Sequence, residues 1–131
     1  MIAFTVPGDP VPQPRPRVST VGGFARAYVP KNHPVRAYRQ AVALAAQMAG
    51  LKKRKAPMSV LITTTFARPP SHYTSKGVVR SSAPPLPRPD CDNLGKAVLD
   101  ALGDFFDDSL VERLVVVKNY GTHSATHVVI E

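Results

Sequence analysis

Acidic residues are almost missing from most of this 131-residue chain: residues 1–89 carry fourteen lysines and arginines but a single acid, Asp9. Proline is missing from the remainder, since all fourteen prolines lie before residue 90. Tryptophan is absent, and the one cysteine, Cys91, excludes an internal disulfide or a cysteine-built zinc or iron–sulfur centre. No apolar run approaches the roughly 20 residues needed to cross a bilayer. The opening Met1–Arg17 does not read as a signal peptide, because proline and aspartate interrupt it early and its arginines follow the apolar stretch. These absences lead to the expectation of a cytoplasmic protein that makes no membrane contact. With 44% hydrophobic and 20% charged residues, the chain is expected to form one globular domain over residues 1–131.

The net charge is +8, unevenly placed. Residues 90–112 hold seven acids (Asp90, Asp92, Asp100, Asp104, Asp107, Asp108 and Glu112) against one lysine, Lys96. A strongly basic background fits a polyanionic partner, most often nucleic acid. A protein that only grips phosphates gains nothing from concentrated carboxylates, which repel the ligand. Such an acidic island makes sense if a divalent metal lies between carboxylate and phosphate.

Local patterns predict the elements. Ile2–Val6 alternates as a strand. Arg17–Thr20 and Phe24–Val29 flank Val21-Gly22-Gly23 as a hairpin. A helix is expected over about 34–49, with Pro34 in its first turn, Gly50 ending it and Arg36 and Arg39 off its apolar face. Ser59–Phe66 is a β-branched strand. Arg68–Pro89 has no sustained period and reads as a long mobile loop of the kind that often carries function. A helix over Asp92–Leu102 is followed by strands Val111–Tyr120 and Thr126–Ile130, expected to pair antiparallel through their short connection. The expected fold is α+β, a small mixed sheet with two main helices packed on it.

The segment Arg88-Pro89-Asp90-Cys91-Asp92-Asn93-Leu94-Gly95-Lys96, continuing to Asp100, concentrates the chemistry. Asp90 and Asp92 are two apart and share a face in extended chain; Asp92 could instead cap the helix. Leu94, Val98, Ala101 and Leu102 form one arc of that helix, with Asn93, Lys96 and Asp100 on the opposite arc. Lys96 and Asp100, four apart, could be a simple surface pair. Gly95 weakens the helix without evident local reason, unless a ligand approaches its backbone. Asp107-Asp108 follows; adjacent carboxylates point opposite ways in extended chain, so one can face a site. Three convergent carboxylates suit Mg²⁺ or Mn²⁺.

The strings R-P-D-C-D-N-L-G-K-A-V-L-D-A-L and D-D-S-L-V-E-R-L-V-V-V-K-N-Y-G resemble the RusA-type Holliday junction resolvases, and the opening V-P-G-D-P-V-P-Q-P-R-P-R-V is similar to that family's N-terminal strand and arginine loop. The resemblance implies a small homodimer, common in phages and prophages, that cuts four-way DNA junctions symmetrically with Mg²⁺ or Mn²⁺. It implies metal-binding carboxylates at Asp90, Asp92 and Asp108 and a catalytic lysine at Lys96. Arg88 falls on a basic position beside the first acid, and Lys118 on a lysine of the following strand. Cys91 stands where the family has an aliphatic residue. The stretch from Leu102 to Asp107 is shorter than usual, which keeps Asp104 and Asp107 as alternatives to Asp108.

The leading expectation is therefore a metal-dependent, structure-specific endonuclease of DNA recombination and repair. Arg15, Arg17, Arg26, Arg36, Arg39, Arg68, Arg88 and Lys118 are its candidates for gripping the DNA backbone. The alternative is a catalytically inactive, basic nucleic-acid-binding protein. A nuclease of the PD-(D/E)xK type lacks its acid-x-lysine here, because Leu94 stands two before Lys96. The four histidines show no ligand spacing.

Overall fold

A computed structural model describes residues 1–14, 17–19, 21–23, 26–28 and 32–131, with backbone alone at 17–19, 21 and 26–28. Alternation makes β1 (Ile2–Pro7), whose Phe4 and Val6 turn inward while Ala3 and Thr5 stay exposed. β2 (Arg17–Ser19) and β3 (Arg26–Tyr28) pair antiparallel as the expected hairpin. α1 (Val35–Met48) buries Val35, Tyr38, Val42 and Ala46 along one stripe. It stops where Gly50 adopts φ +93° and the Leu51 N–H donates to the Ala46 carbonyl, a closure that a side chain at Gly50 would strain. β4 (Met58–Ala67), α2 (Cys91–Ala101), β5 (Val111–Gly121) and β6 (Ala125–Ile130) complete the order.

The main sheet runs β1-β6-β4-β5, with β4 and β5 parallel and the other neighbours antiparallel. The α+β fold is as expected, but the two C-terminal strands are not partners. β6 inserts between β1 and β4, so β4 separates it from β5. Three residues, Thr122–Ser124, cross over the end of β4. That reach is enough, because two strand spacings amount to about 10 Å and three residues extend to about as much. The crossing is close: a Cβ on Gly121 would lie 2.7 Å from Thr65 Cγ2.

Both helices lie on one face. Phe4, Val60, Ile62, Val128 and Ile130 meet Val42 and Ala46 of α1 and Ala97, Val98 and Leu102 of α2. Each fully buried Ile, Leu or Val contributes about 1.5–3 kcal/mol by leaving water. A polar contact lies in this core: the Tyr38 hydroxyl and Thr126 Oγ1 are 2.6 Å apart, and Thr126 is fully buried. Burial raises the Tyr38 pKa above its ordinary value, with the Thr126 bond opposing, so the phenol stays neutral in the folded chain. Its contribution to stability is present below the unfolded phenol's pKa of about 10 and is lost as pH rises beyond it. Tyr38→Phe leaves Thr126 without this partner. It should cost about 1–2 kcal/mol in urea denaturation near pH 7; an unchanged midpoint would show the bond to be worth nothing.

Candidate active site at the start of the second helix

α2 begins one residue earlier than the pattern predicts, at Cys91, with extended Asp90 as its N-cap. An N-cap aspartate ordinarily accepts a backbone N–H of the first turn. Asp90 makes no such bond, and among the described residues its carboxylate has no ion pair or hydrogen bond. Asp92 Oδ1 accepts from the adjacent Asn93 N–H, at 2.9 Å, and from no other group among the described residues. Two exposed carboxylates thus flank the first helical residue, with no ion pair among the described residues, in a chain of net charge +8. Cys91 between them is half-buried.

Three contacts hold this helix start. Lys118 Nζ, from β5, donates to the Pro89 carbonyl at 2.9 Å. The lysine expected on DNA therefore fixes the residue before Asp90. The Gln13 N–H donates to the Asn93 carbonyl at 2.9 Å, which draws the N-terminal segment across the first turn, two residues before Arg15. Gln13 Oε1 is buried there with no hydrogen-bond partner among the described residues. Third, a Cβ on Gly95 would stand 2.8 Å from Val116 Cγ2. The glycine admits close approach of α2 to β5, and not of a ligand to the helix.

Lys96 stands one turn after Asp92 and is 61% exposed on its side chain, with Asp100 Oδ1 at 3.6 Å from its Nζ. Asp100 also faces Arg39 of α1 at 4.0 Å, a half-exposed pairing worth little by itself. Asp107 accepts from the Ser109 N–H at 2.9 Å and caps the short turn Asp108–Leu110. That bond lowers its pKa. Asp107 is thereby occupied locally. Exposed Asp108 lines, with Arg39, Leu99, Asp100 and Phe106, a shallow concavity of about 440 Å³ at the far end of α2. Asp104 lies beside Arg36, Arg39 and Gln40 in the neighbouring concavity.

The structure therefore gathers Asp90, Asp92 and Lys96 but sets Asp108 apart. α2 runs opposite to β5: its start is at Lys118, Gly95 is at Val116, and Asp108 precedes the first residue of β5. Eleven helical residues at 1.5 Å each separate the two ends by about 16 Å. Among the described residues no group of three His, Cys, Asp or Glu side chains could hold one ion. Asp90 and Asp92 offer two hard oxygen donors of the kind a divalent cation prefers, and Asp108 stands apart from them at the other end of α2.

Of the basic candidates, Arg88 is exposed beside Asp90 and Arg36 is exposed on α1. Arg68 is engaged within the protein, stacked 4.2 Å above the Tyr120 ring and donating to the Pro84 carbonyl at 3.0 Å. Arg15 and the side chains of Arg17 and Arg26 lie outside the described residues. Sequence reasoning missed Tyr120 and His72, whose rings meet edge-on at 5.5 Å under Arg68. It also missed that segment 68–89 has structure of its own. The run Tyr73-Thr-Ser-Lys-Gly-Val-Val79, with glycine between β-formers, carried that signal.

Fold and site together define a small basic α+β protein that presents acids and a lysine on the first turns of a crossover helix. A family model described as endodeoxyribonuclease RusA matches residues 7–131, and the chain belongs to that family. A comparison with curated proteins returned no match. Among the described residues, no helix is long and apolar enough to cross a membrane.

Proposed function

We propose that this protein is a metal-dependent endonuclease that resolves four-way DNA junctions in recombination and repair, using Mg²⁺ or Mn²⁺. The observation that carries the reading is the pair of exposed carboxylates, Asp90 and Asp92, without an ion pair among the described residues, on a helix start braced by Lys118 within a basic chain. Asp90 and Asp92 would hold the ion. When bound, it polarises the phosphoryl oxygen and makes its water a better nucleophile. Lys96 presents an ammonium one turn away, where it can face charge developing on the phosphate. Arg88, Arg36 and the N-terminal arginines are placed to hold the backbone without reading bases.

The reading extends to a homodimer, and the sheet edge supports it. β5 is an edge strand of eleven residues with no outer neighbour among the described strands. An unpaired edge is a template for another strand. Antiparallel pairing with β5 of a second copy sets the Asp108 end of one strand beside the Lys118 end of the other. Asp108 then completes the Asp90–Asp92 pair of the opposite protomer, and two equivalent sites face a two-fold junction.

The lack of a three-ligand group among the described residues of one chain favours a second reading, a binder that does not cut. A synthetic four-way junction separates the two. Paired nicks with Mg²⁺, lost in Asp90→Asn protein that still binds the junction, support the nuclease. Binding without cleavage under Mg²⁺ or Mn²⁺ would leave the binder.

A further inference from the structure

Segment 68–89 leads directly into Asp90 and holds four basic residues, Arg68, Lys76, Arg80 and Arg88, with no acid. Its centre is a miniature hairpin. Tyr73 and Val79 form an antiparallel bridge, the Thr74 N–H donates to the Val78 carbonyl at 2.8 Å, and the Arg80 N–H donates to the His72 carbonyl at 2.7 Å. The Gly77 N–H closes the turn on the Thr74 carbonyl at 3.0 Å, with Gly77 at φ +78°. This is a three-residue loop, Ser75-Lys76-Gly77, whose last residue needs the left-handed conformation.

An isolated two-stranded ribbon is marginal in water. This one is clamped at its base by Arg68, which stacks on Tyr120, reaches His72 Nδ1 at 3.4 Å and donates to Pro84 across the segment. Tyr120 is two residues beyond Lys118 on β5, so hairpin and helix start are fastened to the same strand end. The outgoing strand is left in water: Val78 is 62% and Val79 43% exposed, between exposed Lys76 and Arg80. A protein does not gain stability from a clamped hairpin with two bare valines on its outgoing strand.

On the nuclease reading above, we propose that hairpin 73–79 is the finger that recognises the branch point of the DNA. Lys76 and Arg80 contact phosphates, and Val78 with Val79 packs on base faces that a continuous duplex keeps stacked. Apolar side chains flanked by cations are a known means of entering DNA at weakened steps. Charge complementarity selects DNA as the occupant, because neither the finger nor its stalk carries an acid to repel phosphate.

The test compares wild type, Val78→Ser/Val79→Ser and Lys76→Ala/Arg80→Ala on a four-way junction and on linear duplex of the same sequence. Binding is measured in Ca²⁺ with 2-aminopurine at the branch point, and cleavage in Mg²⁺. The valine variant should melt as wild type does, lose the branch-point fluorescence change, and cut the junction about tenfold more slowly while binding duplex unchanged. The basic variant should weaken binding to both DNAs, with the salt slope reduced by about two. A valine variant equal to wild type in fluorescence and cleavage, or one equally weakened on duplex and junction, overturns the finger. Wild type that shows the branch-point signal yet never cuts overturns the nuclease reading and leaves the finger standing.

Discussion

Mixing Asp90→Asn protein with Asp108→Asn protein should restore DNA nicking that neither has alone. Each variant by itself should lose roughly two to three orders of magnitude in cleavage, the scale expected when a charge-stabilising group is removed from a site. If Asp90 and Asp108 of one chain served the same ion, a mixture would stay inactive, because every chain would carry one broken site. They stand at opposite ends of an eleven-residue helix, so in the proposed dimer they would serve different sites. A mixed dimer then has one site with both lesions and one intact. Random exchange makes about half of the dimers mixed, so about a quarter of wild-type sites return. Those dimers own a single working site, and the product should be nicked junctions in place of resolved duplexes. Asp90→Asn mixed with Asp92→Asn should give nothing, since both residues sit on one helix start. Silence from the Asp90–Asp108 mixture, with dimers confirmed by light scattering, would remove the shared site.

Gly95→Ala sets two effects of opposite sign against each other. Helix propensity alone predicts a gain of about 1 kcal/mol. The new methyl, however, would lie 2.8 Å from Val116 Cγ2, well inside the 3.5–4.0 Å of an ordinary carbon contact. Overpacking of this kind costs about 1–3 kcal/mol, so the net change in stability should be small and destabilising, about 1 kcal/mol. The effect on cleavage should be larger. Lifting α2 from β5 displaces Asp90, Asp92 and Lys96 together, and a misplacement near 1 Å can cost about a hundredfold. Val116→Ala added to Gly95→Ala removes the opposing methyl and should recover most of that loss. A Gly95→Ala protein more stable than wild type and equally active would mean that the helix does not need its close seat on the strand.

The sequence by itself determined the main strands and helices, the charge distribution and the family. Alternation marked β1, the apolar arc marked α2, and the D-x-D-N-x-x-K spacing carried the resemblance that the family match over residues 7–131 bears out. These are legible because they depend on neighbours at most a turn away, where period and residue type suffice. Only the tertiary structure decided the rest. It alone showed that β6 enters the sheet between β1 and β4, that Lys118 and Arg68 spend their charges inside the protein, and that Gly95 answers to Val116. It alone set Asp108 at the other end of α2 from Asp90, although both lie in one acidic stretch of sequence. Separation along a chain does not say which way a helix will run against its strand. That direction is settled by packing among residues distant in sequence, and here it decides which carboxylates can meet.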